Sequence, residues 1–180
     1  MNVPNALSIL RLLMIPAFVL ALFSGSPNAY YIAAGIFLAA ALTDILDGYI
    51  ARTFNQITKL GRFLDPLADK LMKATAIVCL CVIGVIPVWV MVLLFVKELL
   101  MLCGGLLVYR RAGDFPASNV FGKAAEFFFC VLILAHILFD IPETLSLILW
   151  CVSILAEYLA MVIYAVRTWK NLAKEEPHEN

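Results

Sequence analysis

Charge is what this chain has least of: 14% of its 180 residues are Asp, Glu, Lys or Arg, while 64% are hydrophobic. Soluble domains run at about 25% charged and roughly 45–50% apolar, so a chain of this composition is expected in a membrane. Net charge is also missing. The 13 basic and 13 acidic residues cancel, the total gives no pull towards nucleic acid, and no such partner is expected. Histidine is down to two residues, and the five cysteines (Cys79, Cys81, Cys103, Cys130 and Cys151) are odd in number and all lie in apolar runs. That excludes the paired spacings of a zinc site or a disulfide framework and leaves cysteine as a small buried hydrophobe. A secretory leader is not expected either: the first apolar run starts near Leu7, carries Arg11 inside it and lacks a small-residue cleavage site. No internal repeat or low-complexity tract stands out.

What the chain has in abundance is long apolar runs. Six can be marked, at residues 6–23, 30–50, 71–86, 88–109, 121–139 and 145–166. Most approach the roughly 20 residues that span about 30 Å of hydrocarbon. The third is short, with residues 65–73 available to extend it into an aqueous cavity. Turn residues mark the breaks: Ser24-Gly25-Ser26-Pro27-Asn28, Gly84 with Pro87, Gly113 to Pro116, and Pro142. Arg52, Lys59, Arg62, Lys70 and Lys73 lie between the second and third runs, Arg110, Arg111 and Lys123 between the fourth and fifth, and Arg167, Lys170 and Lys174 after the sixth. The other three connections hold no Lys or Arg. This alternation predicts an all-α integral membrane protein with six transmembrane helices, both termini cytoplasmic, and a polar cavity open to the cytoplasmic side. One membrane domain over residues 1–170, with a short polar tail at 171–180, is expected in the cell membrane.

Against this background four carboxylates crowd together. The sequence reads D-I-L-D-G-Y-I-A-R from Asp44, then after eight residues G-R-F-L-D-P-L-A-D, ending at Asp69. Asp44 and Asp47 are i,i+3 and Asp65 and Asp69 are i,i+4, so each pair shares a helix face. A charge at membrane depth costs about 2.5–3.5 kcal/mol at a helix centre. Four of them need a compensating partner, and the natural one for clustered carboxylates is a divalent cation. Asp65 also precedes Pro66, which predicts it as the N-cap of the third segment with Pro66 as the first helical residue.

The pattern D-x2-D-G-x2-A-R-x8-G-x3-D-x3-D resembles the signature of the CDP-alcohol phosphotransferase family, filled here by Asp44, Asp47, Gly48, Ala51, Arg52, Gly61, Asp65 and Asp69. The resemblance implies transfer of a substituted phosphate from a CDP-linked lipid, CDP-diacylglycerol, to an alcohol, with release of CMP. It implies two Mg²⁺ (or Mn²⁺) ions held by Asp44, Asp47, Asp65 and Asp69, with Asp69 also the general base. Hard oxygen ligands suit Mg²⁺, and a metal pair suits the attacking and leaving oxygens of such a displacement. Gly48, Ala51 and Gly61 would let the nucleotide approach the backbone, and tight helix packing explains them as well. Arg52 would contact phosphate oxygens, with a cytoplasmic anchor as the alternative. Relatives are commonly homodimers, which the resemblance extends to this chain.

Pro4, Asn5, Ser8, Arg11 and Pro16 resemble the P-N-x-x-[ST]-x-x-R-x4-P opening of the phosphatidylglycerophosphate-forming branch of that family. This implies Asn5 at the CDP-lipid and Arg11 towards the acceptor, both facing the cytoplasmic cavity. From the residues alone, Asn5 also reads as a helix cap and Arg11 as a snorkelling anchor. Glycerol 3-phosphate is the acceptor implied, and its phosphate calls for cations: Lys123, Arg110 and Arg111, with Lys59 and Arg62 nearer the aspartates. Lys123 stands out because Gly122-Lys123 opens the fifth segment, where a helix N-terminus favours anions.

The chain departs from that branch on the acceptor side. Lys97-Glu98 stands where the branch has Arg-Glu, and Gly122-Lys123-Ala124-Ala125-Glu126 where it has G-K-x-K-T. Phosphatidylglycerol, serine and inositol phosphate therefore stay open as acceptors. Lys97 and Glu98 are neighbours on one helix, diverge by about 100° and are not expected to face each other. With Glu126 they are expected to form a polar network. His136 is given no role. Two other classes compete: an intramembrane prenyltransferase, which needs two separated aspartate-rich motifs, and a cation transporter, which needs acids spread through the membrane depth.

Overall fold

The computed structural model describes the backbone of residues 3–53, 59–112 and 120–175, and the side chains of residues 5–47, 64–108 and 120–169. Among the described residues the chain is all helix: α1 (Val3–Leu22), α2 (Ala29–Thr53), α3 (Lys59–Val82), α4 (Val88–Ala112), α5 (Val120–Leu138) and α6 (Glu143–Glu175). Five of the six are long and apolar enough to cross a membrane. α3 is not among them, because its first half carries the charges between Lys59 and Lys73.

Cα packing divides the chain into two compact units, Met1–Val85 with Ile133–Ile141, and Ile86–Leu132 with Pro142–Asn180. In the first, α1 packs against both α2 and α3, and α2 against α3. Ala33, Ala40 and Phe37 share one face of α2 and are all buried, the alanines allowing close approach and Phe37 meeting Phe18 of α1 at a ring separation of 6.2 Å. Ala68, Met72, Ala76 and Leu80 continue the buried stripe along α3. Leu13, Leu20 and Tyr31 point outwards, as side chains facing lipid must.

The C-terminus of α3 ends on a left-handed glycine. Gly84 has φ +78°, its N–H donates to the Cys81 carbonyl at 3.0 Å, and the Val85 N–H donates to the Leu80 carbonyl at 2.9 Å. This pair of bonds satisfies carbonyls that the last turn would otherwise leave open. The N-terminus of α3 corrects the sequence expectation. The helix starts at Lys59 and Pro66 sits inside it, so Asp65 is an interior residue and not the N-cap. Proline weakens a helix by removing one N–H and crowding the carbonyl four residues back. In a helix held by packing against α1 and α2 that local cost is outweighed.

In the second unit α4 packs against α6. Trp150 is fully buried and meets Phe129 edge-on with ring centroids 6.2 Å apart, and the Tyr158 hydroxyl donates to the Leu93 carbonyl at 2.9 Å. A charged cluster sits between these apolar contacts. The Lys97 ammonium lies 2.8 Å from Glu157 Oε2 of α6 and 2.6 Å from Glu98 Oε1. The second distance overturns the expectation that Lys97 and Glu98 cannot meet: the backbone directions diverge, but two long flexible side chains bend back across the gap. Glu157 is the residue that ties the pair to a second helix.

Candidate functional site

The site is built on three helices of the first unit, and its organising residue comes from α1. Asn5, Ser8 and Arg11 follow one another at intervals of three, so they lie along one face, and all three are buried. Polar groups buried in an apolar helix need partners on the helices packed against them. For Ser8 and Arg11, α2 and α3 provide those partners.

Arg11 is 1% exposed, and its guanidinium reaches both aspartates of α2. Nη1 lies 2.9 Å from Asp44 Oδ1, and Nη2 donates to Asp47 Oδ2 at 2.5 Å. Nη1 also points to the backbone carbonyl of Asp65 on α3, at 3.4 Å. The Ser8 hydroxyl donates to Asp65 Oδ1. Asp47 is deeply buried, whereas the Asp44 side chain is 42% exposed, so one end of the cluster opens outwards. Asp44, Asp47 and Asp65 are therefore gathered around one guanidinium and one hydroxyl. The i,i+3 spacing on α2 achieves this by placing both carboxylates on the face that α1 covers.

Asp69, one turn after Asp65, has a different partner. Its Oδ2 accepts from Lys73 Nζ at 2.8 Å, an i,i+4 ion pair on α3 in which the Asp69 side chain is 26% exposed. Lys73 and Arg11 thus enter the site as ion-pair partners of the aspartates, a role that the motif spacing does not assign to them. Ser8 had appeared only as part of a motif. The signal that points to these roles is the cost of a buried charge: Arg11 in an apolar helix needs acids on a neighbouring helix, and the acids nearest in sequence are those of α2.

The remaining candidates fall into two groups. Gly48, Ala51 and Arg52 lie in the last turns of α2, Gly61 in the first turn of α3, and Arg110 and Arg111 at the end of α4, but their side chains lie outside the described residues. Lys123 is exposed in the first turn of α5.

The aspartate oxygens are hard donors of the type a divalent cation takes. Their placement is another matter. Among the described residues no three His, Cys, Asp or Glu side chains are grouped so as to hold a metal ion. Asp44 and Asp47 are disposed around Arg11, Asp65 is held by Ser8, and Asp69 is held by Lys73. The donor chemistry fits a divalent ion, and the present spacing is that of an arginine-clamped carboxylate cluster.

Comparison with known proteins bears on the same stretch. The family model described as CDP-alcohol phosphatidyltransferase matches residues 1–168. A "Probable phosphatidylglycerophosphate synthase" of Mycobacterium tuberculosis is 42% identical over 120 residues, which covers 65% of this chain and 57% of that protein. A "CDP-diacylglycerol--glycerol-3-phosphate 3-phosphatidyltransferase" of Bacillus subtilis is 29% identical over 185 residues, covering 96% of this chain and 94% of that one. A "Putative cardiolipin synthase" of Mycobacterium bovis is 38% identical over 133 residues, or 73% of this chain and 62% of that protein. The chain thus spans somewhat more than half the length of the mycobacterial relatives and nearly all of the Bacillus one.

Proposed function

Since this chain belongs to the CDP-alcohol phosphatidyltransferase family, we propose that it transfers the phosphatidyl group of CDP-diacylglycerol to glycerol 3-phosphate, giving phosphatidylglycerophosphate and CMP. The observation that carries this reading is the convergence of Asp44, Asp47 and Asp65 from two helices on one buried polar point, in a chain otherwise poor in charge. Acids gathered at such expense serve chemistry on an anionic substrate through an intermediary cation. Spread along several helices they would suit a transport path instead.

Members of this family generally depend on a divalent metal. Asp44, Asp47, Asp65 and Asp69 are the residues that would hold Mg²⁺ or Mn²⁺, as two ions, and such ions offset the charge that builds on the diphosphate as CMP leaves. The chain's own residues do the rest. Gly48, Ala51 and Gly61 admit the cytidine close to the backbone, Asn5 adds a polar contact to the CDP-lipid, and Arg52 takes a phosphate oxygen bidentately. Asp69 accepts the proton of the acceptor hydroxyl. Its contact with Lys73 one turn on fixes the direction of that side chain. Lys123, with Arg110 and Arg111, binds the phosphate of the acceptor. The topology that fits is a multi-pass protein of the cell membrane with both termini and the aspartates on the cytoplasmic side, where CDP-lipid and glycerol 3-phosphate are both accessible, and a homodimer is the expected assembly.

A second acceptor has one specific observation in its favour, the likeness to a protein named as a putative cardiolipin synthase. Phosphatidylglycerol is then the acceptor, with the same bond made and broken. Purified protein in mixed micelles with CDP-diacylglycerol and Mg²⁺, given each acceptor in turn, separates the readings by the mass of the lipid formed. Phosphatidylglycerophosphate with glycerol 3-phosphate is expected, and product only from phosphatidylglycerol, serine or inositol phosphate overturns the assignment. In the same assay Lys123→Gln is expected to raise the KM for glycerol 3-phosphate about tenfold with kcat little changed, the loss of one charge-assisted contact. An unchanged KM removes Lys123 from the acceptor site.

A further inference from the structure

Arg11 stands where a bound cation would stand. Its two Nη atoms divide between Asp44 Oδ1 and Asp47 Oδ2, the carboxylate oxygens of α2 that are turned towards α1. Arginine cannot lose its proton at any accessible pH, so the guanidinium brings a permanent positive charge into the cluster. We propose that Arg11 is the resident counter-cation of the aspartate cluster and competes with a divalent ion for the Asp44 and Asp47 oxygens, so that loading the ion requires the guanidinium to give up at least one of them.

Three features support this. A hard cation needs those oxygens at short range with no other positive group between them, and the guanidinium now fills that space. Two cations sharing one carboxylate pair repel at a distance of a few ångströms, which weakens the hold of each when both are present. The guanidinium is also incompletely held: Arg11 Nε is buried and has no hydrogen-bond partner, so the grip rests on the two Nη atoms. Ser8 holds Asp65 independently, which leaves a third carboxylate oriented while Arg11 moves. Without such a counter-cation, the acids would face one another across a buried space and push α2 and α3 apart. Arg11 thus keeps the helices assembled when no ion is bound, and the ion must displace it.

The inference rests on the divalent-ion reading proposed above, and the measurement separates the two. Mn²⁺ binding to the purified protein in detergent is followed by electron paramagnetic resonance, without substrate or turnover. Wild type is expected to bind Mn²⁺, and Asp47→Asn to lose that binding. Arg11→Gln, which keeps a hydrogen-bonding side chain and removes the charge, is expected to bind Mn²⁺ about tenfold more tightly than wild type. Arg11→Lys, which keeps the charge on a single compact ammonium that cannot grip both aspartates at once, is expected to bind Mn²⁺ more tightly than wild type, and that comparison decides the matter even if the glutamine variant fails to fold. The melting temperature in EDTA is expected to drop in Arg11→Gln, and the rise on adding Mn²⁺ to be larger than in wild type. Equal or weaker Mn²⁺ binding in both Arg11 variants overturns the competition while leaving the ion site standing. Wild type that binds no Mn²⁺, or binds it equally well as Asp47→Asn, overturns both.

Discussion

In the Asp69→Asn variant, kcat for phosphatidyl transfer is expected to fall about a thousandfold, while CDP-diacylglycerol binding and the melting temperature hold. The reason lies in where the carboxylate sits. Asp69 is partly exposed and its described partner is Lys73 on its own helix, an i,i+4 pair of the kind that contributes only about 0.3–0.5 kcal/mol. Neutralising it removes a proton acceptor and changes the fold little. Asp47→Asn is the control with the opposite profile. Asp47 is 3% exposed and accepts from Arg11, so the same substitution there leaves a buried guanidinium short of one partner. Removing one member of a buried pair costs roughly 3–5 kcal/mol, and both activity and melting temperature are expected to drop. Steady-state kinetics, equilibrium binding of CDP-diacylglycerol and thermal unfolding in detergent check the contrast. If Asp69→Asn loses lipid binding together with turnover, its role is that of a ligand, and the general-base assignment falls.

This contrast was only half visible in the sequence. That four aspartates pair by helical spacing follows from residue numbers alone, and the structure places Asp44 and Asp47 on the face of α2 that α1 covers, as a period of 3.6 requires. Spacing says nothing about which neighbour covers which face. The Asp47–Arg11 bond joins residues 36 apart and depends on how α1 lies across α2, which no local rule contains. The helices themselves were legible where they are apolar. α1, α2, α4 and α5 begin and end within a few residues of the runs marked by hydropathy, since length and apolar content are what a membrane span demands. α3 was not: its apolar run starts at Leu71, but the helix begins at Lys59, because charge and Pro66 erase both signals that a helix N-terminal half usually gives. α6 likewise runs on to Glu175, beyond the apolar run that ends at Val166, because a helix can continue as a polar stalk after its hydrophobic pattern stops. For α3 the sequence offered residues 65–73 as a polar extension and missed the turns from Lys59 to Leu64 before it, and that extension carries Asp65 and Asp69.

Lys97→Met is expected to lower the unfolding free energy by roughly 3–5 kcal/mol. Lys97 lies mid-helix in α4, and Glu157 on α6 is 5% exposed, so neither has water to fall back on. With the ammonium gone, the buried Glu157 carboxyl group loses its cationic partner. One of its oxygens, Oε1, already has no hydrogen-bond partner, and the nearby Ser153 hydroxyl, one turn earlier on α6, has none either. The Ser153 hydroxyl is a weaker substitute for lysine, since it brings a donor without a positive charge. A well-packed apolar replacement of both partners avoids this problem, because the penalty comes from the orphaned polar group and not from the missing attraction. The double variant Lys97→Met/Glu157→Leu is therefore expected to recover most of the lost stability, leaving a coupling energy of at least about 2 kcal/mol between the two sites. Thermal unfolding of wild type, both single variants and the double variant in the same detergent measures that coupling. Additive losses would show that each side chain is held by its surroundings separately, and that the Lys97–Glu157 contact does not join α4 to α6 energetically.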